Sequence, residues 1–457
     1  MYIQNRSELV SHGYQRGREA VIDIIEHSLQ AVDPYRATKK LVHLEGGILT
    51  VGYLSFNLSG RGDIYLLGMG KASFSIAKAV EEILGDRITE GVIIVKEGQI
   101  GDLRRVDVRE ASHPLPDSRG LEGAREMKAI AERAQEGDIV ICAITGGSSA
   151  LAPLPVSTIS LEEKRKIHEL LLGSGATIRE INAVRKHLSD IKGGKLALSI
   201  FPAEIINLTV SDVTEDPLDY ITGPTVPDTS TFEDAIQVLQ KYDLLGRVPE
   251  SALDYLQKAT HEMENPKDFG NMPVHTFVLV KSGAICQAAS NRAEELGFAS
   301  MILTLCLEGE SKETGVEFAR IASGIRSDGR PLMPPCVVVA GGETTVTIHG
   351  LCGEGGPNQE FALSGALQLD GSERVVIAAI DSDGTDGPTD IAGGIVDSST
   401  TKRAKEKDID LAGYLAHHNS SAALRELNDA VMTGHTGTNV NDLKVMLVDS
   451  YHSNFRR

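Results

Sequence analysis

The chain has 457 residues, too many for one core of ordinary size, so two or three domains are expected. Its 41% apolar and 24% charged content is that of a soluble globular protein. A net charge of −19 repels nucleic acid and anionic membrane surfaces alike, and 4% aromatic content without a Trp disfavours a base-stacking surface.

Short apolar runs at 64–67, 92–95, 139–144, 205–210, 276–280, 301–305, 337–340, 375–380 and 445–448 are near-continuous rather than alternating. This predicts strands buried on both faces. Helical patterns at 72–84, 120–134, 161–172, 231–242 and 286–296 lie between them. The alternation predicts an α/β fold with mostly parallel sheet, in which ligands gather outside the carboxyl ends of the strands. A polar stretch with two prolines, residues 260–273, is the expected boundary, dividing the chain into domains of residues 1–268 and 269–457. No run approaches the ~18 apolar residues of a membrane span, and the N-terminus lacks the apolar core of a secretory signal. Cys142, Cys286, Cys306, Cys336 and Cys352 form no C-x-x-C pair, and four of them sit in or beside apolar runs. They predict buried thiols in a reducing compartment, hence the cytoplasm.

Glycine-rich turns follow several of these runs. Gly68-Met69-Gly70-Lys71-Ala72-Ser73 is not a Walker A loop, because Tyr65 stands where the first glycine belongs. It half-matches a dinucleotide fingerprint, with Ser73 as the third small residue, but Lys96 precedes Glu97 where a ribose-binding acid is required. Lys71 puts an ammonium at a helix N-terminus, where an anion would compensate it; a turn with no ligand is the alternative. Thr145-Gly146-Gly147-Ser148-Ser149 offers hydroxyls and free N–H groups to a phosphate. Ala150 stands where the serine-hydrolase elbow needs glycine, which disfavours a serine nucleophile. Arg185, Lys186 and His187 precede Gly193-Gly194-Lys195. In so acidic a chain this cluster suggests an anion site over a solvated helix face, with His187 read as structural. Asp212 ends a buried-type strand, a position suited to Mg²⁺ or to capping. Asp381, Asp383, Asp386 and Asp390 cluster after another strand, but no flanking helix pair or twelfth-position Glu makes an EF-hand. Gly342 and Glu343 follow a further strand, and His435 reads as a loop histidine.

Taken together, GMGKAS, SHPLPDSRG, TGGSSALAPLP, NAVRKHLSDIKGGKLA, LTVSDVTEDPLDYITGPTVPD, GGETTVTIHG, GGPNQEFAL, DSDGTDGPTDIAGGIVD and TGTNVNDL resemble the class II glycerate 2-kinases, whose C-terminal part is the MOFRL domain. The resemblance runs in order through nearly the whole chain. It implies a larger Rossmann-like domain, a smaller α/β MOFRL domain and a cleft between them. The implied reaction is transfer of the ATP γ-phosphoryl group to the 2-hydroxyl of D-glycerate, with Mg²⁺ or another divalent cation. Lys71 matches the family's active-site lysine. Many bacterial members have Gly-Gly-Arg where this chain has Gly356-Pro357, so no arginine role carries over there.

The expected site has the glycerate carboxylate on Lys71 and Arg185, with Ser73 beside them. ATP is expected on Thr145, Gly146, Gly147, Ser148 and Ser149, with Lys186, Lys195, Gly342 and Glu343. Asp212 or Asp383 would hold the cation, and Asp212 would orient or deprotonate the attacking hydroxyl. Lys71, Ser148, Arg185, Asp212 and Asp383 would line one interdomain cleft. The expected partners are glycerate and ATP, without nucleic acid or membrane; a homodimer is left open. Close relatives have been labelled hydroxypyruvate reductases, so a nicotinamide-dependent reductase is the alternative, and a non-catalytic nucleotide-binding module is a third reading.

Overall fold

The structure is a computed structural model, and it describes residues 1–99, 101–211, 223–369 and 374–450. Backbone contacts group these into one unit of Pro34–Val280 and another of Met1–Asp33 with Lys281–Arg457. That grouping differs from the expected 1–268 and 269–457 in two ways. The first 33 residues pack with the C-terminal unit, where fully buried Arg18 is paired with Asp397 and, at 2.9 Å, with Asp429. The polar stretch 260–273 lies inside the first unit rather than between units. Its polar groups are used locally: Asn265 donates to Asp228 at 2.7 Å and Glu264 accepts from the Phe232 N–H at 2.9 Å.

The Pro34–Val280 unit begins with a small antiparallel sheet of β1 (Val42–Glu45), β2 (Ile48–Val51) and β3 (Leu54–Asn57). Its main sheet comprises β4 (Ile64–Met69), β5 (Glu90–Lys96), β6 (Asp107–Ala111), β7 (Ile139–Ile144), β8 (Glu204–Ser211) and β9 (Val274–Lys281), in the order β6-β5-β4-β7-β8-β9. The pairings from β6 through β8 are all parallel. Tyr65, Leu67 and Met69 face a core shared with the helix Ser118–Ala131, while the helix Ser73–Leu84 packs against β4, β5 and β7. Both faces are thereby covered, which is why these runs read as continuously apolar. The chain winds away from β4 in both directions, through β5 to β6 and through β7 to β8. The strand order therefore reverses between β4 and β7, the switch point where α/β sheets open a ligand crevice at their carboxyl edge. Beside the sheet, the helices Leu161–Leu172, Ile178–His187, Phe232–Lys241 and Glu250–Gln257 share a second core. Capping boxes at Ser160, Thr177 and Thr231 start the first three, each a Ser or Thr followed three residues on by an acid.

In the other unit, β10 (Ala299–Thr304), β11 (Cys336–Gly341), β12 (Val375–Asp381), β13 (Gly393–Asp397), β14 (Ala430–Val431) and β15 (Asp442–Val448) form a sheet in the order β10-β11-β15-β12-β13-β14. Only β10 and β11 are parallel; the other pairings are antiparallel. The expectation of mostly parallel sheet thus holds for the first unit and not for this one. Continuous apolar runs report burial on two faces, and the helices Ser311–Asp328 and Gln15–Ala31 supply that burial here whatever the strand direction. β9 and β10 are also more exposed than predicted, with Val280 the sole buried position between them, because each is an edge strand.

Candidate active site

The turns after β4 and β7 meet at the switch point. The Lys71 N–H donates to the Gly146 carbonyl at 2.9 Å, and the Ala72 N–H donates to Thr145 Oγ1 at 3.0 Å. Gly70 has φ +126°, and a Cβ there would lie 2.2 Å from Thr145 Oγ1, so only glycine allows the approach. The contact engages two of the expected hydroxyls. Thr145 is 1% exposed with its hydroxyl committed to the neighbouring turn. Ser73, expected to touch substrate, is fully buried with Oγ donating to the Gly70 carbonyl at 2.7 Å; its role is to close the turn. Lys71 itself is half-buried and lies along Gly147, where a Cβ would meet Lys71 Cγ at 3.3 Å and His113 Nε2 at 3.4 Å. His113 was not singled out from the sequence.

The basic segment divides by face. Lys186 is buried and ion-paired with Asp228, whose carboxylate also accepts from Ser230 and Asn265. That ammonium, expected at a phosphate, has a carboxylate partner within its own unit. His187 is structural as read, with Nδ1 2.7 Å from the Ala183 carbonyl and its ring edge-on to Phe232. Arg185 points elsewhere: its Nη2 lies 2.8 Å from His168 Nδ1 and its Nη1 donates to Asn182 Oδ1 at 3.4 Å.

Around Arg185 gather cations that the sequence reading missed. Lys164, His168, Arg185, Lys192 and Ser149 line one small cavity. Lys164 and Lys192 are buried, and Lys192 Nζ donates to the Ser148 carbonyl at 3.2 Å. Lys195 stands close enough to act on Lys164, and its Nζ donates to the Ser189 carbonyl at 2.7 Å. Burial, reinforced by Arg185 and Lys195, pulls Lys164 down to about 7. Burial, with Lys164 and Arg185, holds Lys192 well below the lysine range. Burial lowers Arg185 to about 10 and Lys195 to about 8. His168, desolvated and beside Arg185, falls to about 3, so its neutral ring accepts from the guanidinium. One signal for Lys164 was present in the sequence: Lys164, Ile167, His168 and Leu171 fall at i, i+3, i+4 and i+7, so a lysine sits on the apolar stripe of its helix.

Asp212 lies outside the described residues. Asp383 belongs to the other unit, where it is buried and its Oδ1 accepts from Thr385 N–H and Oγ1 at 2.8 and 2.7 Å. Asp386, in the same turn, accepts from the N–H groups of Asn358 and Gln359 at the start of the helix Pro357–Gln368. Burial raises its carboxyl to about 7, with Asp442 adding to the rise. Gly342 and Glu343 are also in that unit; the Gly342 carbonyl accepts from buried Lys444 at 2.6 Å and Glu343 is exposed. Among the described residues no three His, Cys, Asp or Glu side chains converge on a metal position. Cys142, Cys286 and Cys336 are buried, Cys306 and Cys352 are exposed, and all five are free thiols. No helix among the described residues is long and apolar enough to cross a membrane.

A doubly wound sheet with a lysine-bearing glycine turn at its switch point, flanked by a small cavity lined by basic side chains, defines an α/β protein of the open-sheet class. Residues 20–257 match the Domain of unknown function DUF4147, and residues 336–442 match the MOFRL family. The chain is 43% identical over 435 residues to a glycerate 2-kinase of Pyrococcus horikoshii, covering 95% of this chain and 98% of that protein. A crystal structure of a glycerate kinase from Thermotoga maritima superposes with TM-score 0.79 at 39% identity, covering 94% of this chain and 99% of that one. A putative hydroxypyruvate reductase of Agrobacterium vitis is 37% identical, covering 85% of this chain and 88% of that protein. The chain belongs to the class II glycerate 2-kinase family, the MOFRL family.

Proposed function

We propose that this protein transfers the γ-phosphoryl group of ATP to the 2-hydroxyl of D-glycerate, giving 2-phosphoglycerate and ADP. The observation that carries the reading is the junction of the Lys71 turn with residues 145–149 at the switch point of the sheet, in a chain so similar to glycerate kinases. Lys71 is assigned to the glycerate carboxylate, and the backbone of residues 146–149 to the nucleotide phosphates. Arg185 and Lys195 supply positive charge from the neighbouring cluster. A new bond forms from the 2-oxygen to the γ-phosphorus as the bond to the β-phosphate oxygen breaks. The hydroxyl proton passes to a carboxylate, for which Asp212 is the candidate. Catalysis of this kind is mostly positioning and charge neutralisation. Mg²⁺ would enter with the nucleotide, held by its phosphates and by Asp212, and would neutralise charge on the phosphoryl oxygens. Five thiols without a disulfide suit a reducing compartment, so we place the enzyme in the cytoplasm.

A nicotinamide-dependent reductase is the weaker reading. Glu97, beyond β5, is the acid nearest a ribose-binding position, and both its oxygens are engaged by Arg119 at 3.2 and 3.1 Å. The deciding experiment supplies glycerate with MgATP in one assay and hydroxypyruvate with NADH in another. ADP and 2-phosphoglycerate in the first support the kinase. Loss of nicotinamide absorbance in the second, without phosphoglycerate in the first, overturns it. ATP binding with neither reaction points to a non-catalytic module.

A further inference from the structure

We propose that the cavity between Lys164, Arg185 and Lys192 is a phosphate-dianion site that receives a phosphoryl group of the nucleotide or of the phosphorylated product. Buried cations are retained where something compensates them. Lys164 Nζ and Arg185 Nε are buried and make no hydrogen bond among the described residues, and Lys192 Nζ has the Ser148 carbonyl. Among the described residues, no carboxylate acts on Lys164 or Lys192; their charged neighbours there are the other basic groups. Acidic side chains among the described residues thus pair with Lys186 and approach Lys195, and none of them lines this cavity. A structural packing role would be served better by Met or Leu, which carry no desolvation cost.

Three converging basic groups suit a dianion, whose charge would draw protons back onto Lys164 and Lys192, better than a singly charged carboxylate. Phosphate also offers several acceptor oxygens to donors of fixed direction. His168 holds the Arg185 guanidinium in place by accepting from Nη2. Location supplies the link to the reaction: Ser149 lines the cavity, and Lys192 is bonded to the carbonyl of Ser148 in the turn after β7. The space is about 20 Å³, room for little more than one water. One phosphoryl oxygen would enter while the others remain at half-buried Ser149 and Arg185. Assignment of that phosphoryl group to the reaction rests on the kinase reading; the dianion site rests on the uncompensated charge.

The test uses the full chain and inorganic phosphate, with no turnover required. Calorimetric titration and phosphate-dependent thermal unfolding are compared for the wild type, Lys164→Met and Arg185→Gln. The wild type is expected to bind phosphate and unfold at higher temperature with it. Lys164→Met removes a cation without a partner, so it is expected to be at least as stable without ligand. It is also expected to bind phosphate about tenfold or more weakly, the loss of one charge-assisted bond. ADP and 2-phosphoglycerate are then titrated into the same variants, and the one whose affinity falls with that of phosphate identifies the source. A wild type that does not bind phosphate overturns the site. So does a Lys164→Met protein that binds phosphate as tightly as the wild type, whatever its stability. Unchanged affinity for both ADP and 2-phosphoglycerate overturns the link to the reaction. Failure of the kinase reading would show separately, as no ADP formed from glycerate and MgATP.

Discussion

Replacing Lys71 by Ala tests the assignment of charge at the switch point with little collateral change. The bond that ties its turn to the β7 turn is made by the Lys71 backbone N–H to the Gly146 carbonyl, and the variant keeps it. The side chain is half-buried and lies beside Gly147 and His113, and its removal leaves the backbone bond to Gly146 in place. On the proposed assignment, what disappears is one cation at the glycerate carboxylate. Loss of one such group typically costs about 3–4 kcal/mol of transition-state stabilisation, or 10²–10³-fold in turnover. Steady-state ADP release coupled to a nicotinamide readout, at saturating MgATP and varied glycerate, gives kcat and KM. Thermal unfolding of the same protein checks the fold. A variant with wild-type stability and near-normal kcat and glycerate KM would refute the role of Lys71. A variant whose activity falls only because its unfolding temperature falls would refute the argument that the turn is held without the Lys71 side chain.

Gly70→Ala must fit a Cβ 2.2 Å from Thr145 Oγ1 and 2.5 Å from the Thr145 carbonyl at φ +126°, at a cost of about 2–5 kcal/mol; Gly46→Ala, also at positive φ but with nothing within 4 Å, is the control, and equal unfolding midpoints for the two would count against the close approach. Asp228→Asn leaves the Lys186 ammonium buried without its counter-ion and is expected to cost about 3–5 kcal/mol in urea denaturation; a loss below about 1 kcal/mol would show the pair to be unimportant. The pH dependence follows from Lys164, lowered to about 7 in the folded protein by burial and by Arg185 and Lys195. Between about pH 7 and the ordinary lysine range the unfolded chain binds a proton that the folded one does not, so this group makes stability rise with pH there and fall towards pH 7. From pH 7 to 9, without anions, wild type should gain about 2–3 kcal/mol on Lys164→Met; parallel stability curves would remove the depressed titration.

Much of this protein is legible residue by residue because the signals are local. Continuous apolar runs mark β4, β7 and β12; Ser160, Thr177 and Thr231 with acids three residues on mark helix starts; and glycine pairs after the strands mark the turns at the switch point. The sequence by itself therefore determined the α/β class, the Lys71 and 145–149 turns and the family. Tertiary structure alone decided the direction of strands in the second sheet, the packing of residues 1–33 with the C-terminal unit, and the burial of Ser73. It also decided which cations are compensated. Arg185 and Lys186 are neighbours in the chain, yet Lys186 is paired with Asp228 while Arg185 faces Lys164 and Lys192. Adjacent residues on a helix point about 100° apart, and electrostatic pairing acts through space, so residues 164, 185 and 192 become one site only when the chain has folded.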